Sequence, residues 1–187
     1  MSTINRQRLL NAVVFFAKNT RYCGKIKLFK LLYLLDFEHF RKTGRSVTGA
    51  DYDAWEYGPV PTPLYKEWEK PAADFSDAVE IKAEQVVDYF RKTVKPKRDF
   101  DGSLFSPRQV ALMAELAAKY RDTQSPEMID VTHAENGAWA KVWNDGMGRN
   151  DRIAYELALS PDDPYREAVL ERQRSDAQRQ AAIAHSH

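Results

Sequence analysis

The sequence holds a single cysteine, Cys23, so it can form no internal disulfide and offers no cysteine-built metal site. It has no apolar stretch approaching the ~20 residues a membrane span needs, and its start, MSTINRQRLL, lacks the apolar run of a signal peptide. A cytoplasmic protein without membrane contact is expected. Charge of one sign is also missing: 28 Lys and Arg stand against 27 Asp and Glu, a formal net charge of +1. A generic nucleic-acid binder is more often basic overall, so a DNA-binding transcriptional regulator is kept only as the alternative, with nucleic acid not expected as a partner. There is no GxxxxGK[ST] phosphate loop, HExxH pair or GxSxG elbow, and Gly146, Met147 and Gly148 lack the third glycine and preceding strand of a dinucleotide site. No cofactor, metal or catalytic residue is predicted, and the chain is read as a non-enzyme.

What is present is core material. With 187 residues, 43% hydrophobic and 12% aromatic, the chain can build one moderate domain, which we place at 1–160, followed by a polar C-terminal helix or tail at 161–187. Charge is unevenly spread. Residues 1–50 carry ten basic and two acidic side chains, net +8, and residues 51–90 carry three basic and ten acidic, net −7. The two segments can neutralise each other in the fold, or the basic one can meet an acidic partner.

Apolar residues from Leu9 to Ala17 recur at three- and four-residue steps and predict an amphipathic helix over 4–18. Over 25–42 apolar residues occupy most of the helical wheel, which predicts a central buried helix, stopped by Arg41, Lys42 and the left-handed turn of Gly44. The run VTGADYDAWEYGPVPTP cannot continue a helix and reads as a shaped loop around a short strand, after which Thr62 and Pro63 predict a capped helix start. Residues 86–95 read as an exposed strand pairing with the segment near Tyr52. Ser106, Pro107 and Gln109 spell a capping box ahead of a helix, and Ser125 and Pro126 a second start ending near His133. Trp139, Val142 and Trp143 lie on a further short segment, with both tryptophans expected to close the core. The tail after Ser160 is expected to add little to that core.

Asp36 and His39, three apart on the central helix, share a face on which a carboxylate and an imidazole could hold a proton or a metal, though a helix this apolar favours a structural pair. His133 with Glu135 is a second candidate pair at a helix C-terminus, where an ordinary histidine is also favoured by the dipole. His185 and His187 lie in the polar tail. Lys25 near Cys23 could lower the thiol pKa, against the commoner case of an inert thiol. The aromatic loop Tyr52, Trp55, Tyr57, Gly58, Pro59, Val60, Pro61 has two readings: a rigid cap filling the top of the core, or a platform of Trp and Tyr for a binding partner. Both stand for its outward-facing members.

Residues 27–68, KLFKLLYLLDFEHFRKTGRSVTGADYDAWEYGPVPTPLYKEW, closely resemble the Panacea domain, the antitoxin domain of SocA-like and GepA-like phage-associated bacterial proteins. The carriers are Lys27, Leu28, Lys30, Leu31, Leu32, Tyr33, Asp36, Gly49, Tyr52, Ala54, Trp55 and Tyr57 to Pro61, with Thr132, His133 and Trp139 similar to a later family element. The resemblance implies a mainly α (α+β) fold, a compact helical domain with a small antiparallel β element. It implies an antitoxin of a toxin-antitoxin system that neutralises a cognate protein toxin by direct binding, with no cofactor. Within the SocA-like branch it also allows a proteolytic adaptor that delivers the toxin to the ClpXP protease. On this footing Tyr52, Trp55, Tyr57, Gly58, Pro59, Val60 and Tyr65 are expected at the toxin-binding surface, with Lys27, Leu28, Leu31, Tyr33, Asp36 and Trp139 as structural members of the motif.

Overall fold

The fold is organised around α2 (Lys25–Thr43), in which fourteen of 19 residues are buried, as an all-round apolar helix requires. The computed structural model describes residues 2–86, 89–134 and 137–184. Helix α1 (Thr3–Asn19) is capped by Ser2, whose hydroxyl accepts from the Asn5 N–H at 3.3 Å, and buries Leu9 to Val14, Phe16 and Ala17. Its Val13 and Phe16 join Leu28, Leu31, Leu32 and Tyr33 of α2 in the main core cluster. Helix α2 stops as its sequence predicts, with Gly44 at φ 74° donating its N–H to the Phe40 carbonyl at 2.7 Å.

The proline-rich run forms a hairpin, β1 (Asp53–Trp55) and β2 (Gly58–Val60), antiparallel with Ala54 opposite Pro59 and a turn at Glu56 and Tyr57. The outer edge of β1 is occupied by residues 150–153: Ala54 N–H donates to Asp151 O at 2.8 Å, and Asn150 N–H donates to Ala54 O at 2.7 Å. No edge is left there for the strand expected over 86–95. That strand exists as β4 (Tyr89–Pro96), but it pairs with β3 (Val79–Val86) and not with the Tyr52 segment. The acidic side chains of β3 face the basic ones of β4, with Glu80 opposite Lys95, Glu84 opposite Arg91, and a diagonal ion pair from Lys95 to Glu84 at 3.0 Å.

Helix α3 (Thr62–Glu69) corrects the predicted cap. Thr62 is already helical, Pro61 precedes it, and the Thr62 hydroxyl donates to the Asp53 carboxylate. Helix α4 (Ala73–Ala78) leads into β3. Helix α5 (Pro107–Lys119) begins with the predicted capping box, Gln109 Oε1 accepting from Ser106 N–H at 2.9 Å and Ser106 Oγ from Gln109 N–H at 3.4 Å. Helix α6 (Ser125–Ala134) starts one residue earlier than a Ser125 cap would place it, with Glu127 accepting from the Gln124 N–H at 2.8 Å. Helix α7 (Ala138–Trp143) buries Trp139 and leaves Trp143 half-buried and stacked on it, so one of the two tryptophans enters the core fully.

The segment after Ser160 is the helix α8 (Arg166–Ala184), polar along most of its length. Val169 and Leu170 nevertheless form a satellite cluster with Phe40 and Leu159, so the tail adds more to the interior than its composition suggests. The charged halves of the amino-terminal region partly neutralise each other. Arg6 of α1 forks onto Glu67 of α3 at 2.6 Å and Asp74 of α4 at 2.8 Å. Among the described residues no helix is long and apolar enough to cross a membrane.

Candidate functional site

The motif residues of α2 divide into two groups by what their polar ends reach. Asp36 is fully buried and accepts four hydrogen bonds: the N–H groups of Val47 at 2.8 Å and Thr48 at 2.7 Å, the Thr48 hydroxyl, and the Tyr52 hydroxyl at 2.8 Å. Burial pushes its carboxyl above the ordinary range, and these donors oppose the rise. The carboxylate thus ties α2 to the loop entering the hairpin. Tyr33 lies in the same interior, its ring 4.1 Å from Phe37 and 5.4 Å from Tyr52. Lys27 carries its ammonium to three carbonyls, Arg21 at 2.7 Å, Thr123 at 2.8 Å and Arg121 at 2.9 Å, closing the turns that follow α1 and α5.

Lys30, one turn further along α2, points toward the hairpin. Its Nζ donates to the Pro59 carbonyl at 3.1 Å, and burial lowers its pKa to about 7. Gly58 makes this approach possible. Its φ is +97°, and a Cβ there would collide with Lys30 Nζ and lie 3.1 Å from the Thr132 hydroxyl. A residue before proline is restricted and glycine relieves that restriction; at Gly58 a left-handed backbone and a buried amine pressed against it are two further demands for glycine.

In front of the hairpin is a cavity of about 420 Å3, lined by Phe29 and Lys30 of α2, Trp55, Tyr57 and Val60 of the hairpin, and Tyr65 of α3. Lys25, Glu56 and Arg149 stand at its rim, Arg149 3.5 Å from Glu56. Trp55 and Tyr65 pack with centroids 4.6 Å apart, and Lys25 Nζ sits 4.7 Å over the Tyr65 ring. The hairpin is braced from behind: Trp139 Nε1 donates to the Trp55 carbonyl at 2.9 Å, and its indole is stacked on His133 at 3.8 Å. The aromatic platform therefore rests on three helices.

Of the residues expected at a binding surface, Trp55, Tyr57, Val60 and Tyr65 come together at this cavity. Tyr57 is 63% exposed, whereas Tyr52 is 1% exposed and turned to Asp36, so Tyr52 is corrected to an interior position. Gly58 and Pro59 are also buried and act on the surface only through the hairpin they shape. Phe29, Lys25, Lys30 and Arg149 were not among the expected surface residues. Lys30 had a readable signal, a lysine inside an otherwise apolar helix, but Arg149 sits in an irregular loop with none.

The alternative chemistry is dispersed. Asp36 and His39 do not meet: His39 Nδ1 is 2.6 Å from the Arg45 carbonyl and 3.2 Å from the Thr43 hydroxyl. Cys23 is buried, and burial outweighs the nearby lysines, pushing its thiol up to about 11. Glu135, His185 and His187 lie outside the described residues. Among the described residues no group of three or more His, Cys, Asp or Glu side chains could hold a metal ion.

A family model described as the antitoxin SocA-like, Panacea domain, matches residues 28–140, from α2 to α7 and including most of the cavity lining. Comparison with curated proteins and with solved structures finds no match.

Proposed function

The chain belongs to the SocA-like antitoxin family, whose Panacea domain covers residues 28–140, and from that premise we propose that it neutralises a cognate protein toxin by binding it directly at the Trp55–Tyr65 cavity. The observation that carries this reading is a Trp and Tyr surface held rigid before any partner arrives. Tyr57 is exposed, Trp55 and Tyr65 are half-buried, and the backbone beneath them is fixed by Gly58, Pro59 and the Trp139 hydrogen bond. Aromatic anchors on a prearranged loop give large contact area and lose little entropy on binding.

Binding without catalysis accounts for the buried polar groups of the α2 motif. The Asp36 carboxylate is consumed by four donors, and the Lys27 ammonium by three carbonyls. The reading calls for no cofactor and places the protein in the cytoplasm. In its finer form the same surface holds the toxin while the chain presents it to the ClpXP protease. Much of the basic amino-terminal region already has partners within the fold, Arg6 with two carboxylates and Lys27 and Lys30 with carbonyls, which weighs against the DNA-binding alternative.

The test is co-expression with the product of the adjacent reading frame. Rescue of growth and co-purification are expected for the wild-type chain, with loss of both for Trp55→Ala and Tyr57→Ala proteins that keep their circular dichroism. Full-affinity capture by both variants would move the toxin elsewhere on the surface. A toxin lifetime that shortens in the presence of the antitoxin and ClpXP supports delivery, and an unchanged lifetime leaves occlusion.

A further inference from the structure

Two lysines on α2 three residues apart are equally removed from water and differently satisfied. Lys27 is 0% exposed and Lys30 2% exposed. Lys27 has an acceptor for each of its three N–H bonds, whereas Lys30 has one among the described residues, the Pro59 carbonyl. A buried amine with donors to spare is costly, and its pKa of about 7 expresses that cost. The difference between the two is location: Lys30, unlike Lys27, lines the aromatic cavity. Among the described residues that line the cavity, Lys25 and Arg149 accompany Lys30 and one carboxylate, Glu56, which Arg149 already engages, and His133 of α6 lies close enough for Lys30 to help lower its pKa.

We propose that the cavity receives a toxin segment in which an aromatic or aliphatic side chain adjoins a carboxylate, the side chain packing on Phe29, Trp55 and Tyr65 and the carboxylate accepting hydrogen bonds from Lys30 Nζ. This inference rests on the direct-binding reading and specifies the chemistry of the partner. A volume of about 420 Å3 falls within the range of pockets that enclose a small ligand, enough for one large side chain and its neighbouring carboxylate. A carboxylate brought to Lys30 supplies the missing acceptors and replaces the solvation the amine lost on folding, and a hydrogen bond to a charged group is the strong kind. The preference is therefore for an anion with an apolar body, not for an anion alone.

The probes are indole-3-acetate and its neutral amide, indole-3-acetamide, titrated into the full chain at pH 6.5 and followed by the indole resonance of Trp55. The acid is expected to bind about tenfold tighter than the amide. In Lys30→Met and Lys30→Gln proteins the ratio falls to about one while the amide still binds. Equal binding of acid and amide by the wild-type chain, a measurement that needs no variant, overturns the inference, as does binding of neither or a preference that survives both substitutions. Capture of the co-expressed toxin is read separately. A chain that captures toxin yet shows no acid preference overturns this inference and leaves direct binding standing. A chain that captures no toxin overturns direct binding, whatever the probes do.

Discussion

Lys30 and Gly58 occupy adjoining space, the amine of one filling the volume that a side chain at the other would need. The arrangement needs a glycine at φ +97°, a conformation in which any Cβ is strained, and it holds a lysine amine away from water. Gly58→Ala therefore carries two penalties. The backbone conformation alone costs about 1–3 kcal/mol for a residue with a Cβ. The lysine tip must also move, which loosens its hold on the Pro59 carbonyl. We expect a Tm lowered by several degrees, at about 2–4 °C per kcal/mol for a chain of this size, and weakened toxin capture, checked by thermal melting and co-purification. An unchanged melt would show that the hairpin can adopt another turn.

Lys30→Met tests whether the amine is kept for stability or for binding. In the unfolded chain the amine has its ordinary pKa of 10.5, and in the fold about 7. Between those values the unfolded state binds more protons, so wild-type stability rises with pH across that window, by up to about 1.4 kcal/mol per pH unit, and is flat below it. Methionine removes that dependence. The variant is expected to be more stable than wild type near pH 6, with the difference shrinking toward pH 10, as denaturant melts at several pH values will read. A variant less stable at every pH would make Lys30 a structural pin like Lys27.

The elements legible from sequence are those whose signals are local. The Ser106–Gln109 box and the Gly44 stop are short-range chemistry, and both are found as read. Strand β3 carries little signal because Glu80, Ile81, Lys82, Ala83 and Glu84 lack an apolar run, and its acidic side chains meet their basic partners only across the next strand, Glu84 opposite Arg91 and Glu80 opposite Lys95. The Tyr52 segment pairs elsewhere than with 86–95 because its partner is far along the chain: what covers β1 is residues 150–153, nearly a hundred positions later. At the cavity, Trp55, Tyr57 and Tyr65 were visible as residue types, but which aromatic faces out depends on the strand alternation that turns Tyr52 to Asp36. Buried lysines defeat composition-based reading, which places such residues outside.

Cys23 gives a simple probe of the native interior. Its thiol is buried, with a pKa pushed up to about 11, so at pH 8 it is protonated as well as inaccessible. We expect no reaction with a disulfide reagent in the folded chain and one full equivalent after denaturation. Fast labelling of the native protein would place the turn before α2 in an open conformation.

Gly44 packs directly against α8. Gly44 ends α2 at φ 74°, and a Cβ there would lie 2.6 Å from the Val169 carbonyl, a backbone atom that cannot step aside as a side-chain tip can. The residue thus serves two ends at once, closing one helix and admitting another. Docking is completed by Val169 and Leu170 against Phe40 and Leu159, and by the Arg45 guanidinium on the Asp176 carboxylate at 2.6 Å. Removing residues 166–187 uncovers Phe40 and is expected to cost about 2–5 kcal/mol, the burial of two aliphatic side chains, while leaving the cavity residues in place and toxin capture intact. Gly44→Ala in the full chain should cost more than left-handed strain alone, since it also displaces α8. In the truncated chain the same substitution meets only the strain, about 1 kcal/mol or somewhat more. The two changes are therefore non-additive, with a coupling of about 1 kcal/mol or greater that a double-mutant cycle of denaturant melts will read. Additive losses would mean that α8 does not pack on Gly44 in solution, and a truncated chain that fails to fold would make α8 part of the core instead of a helix laid upon it.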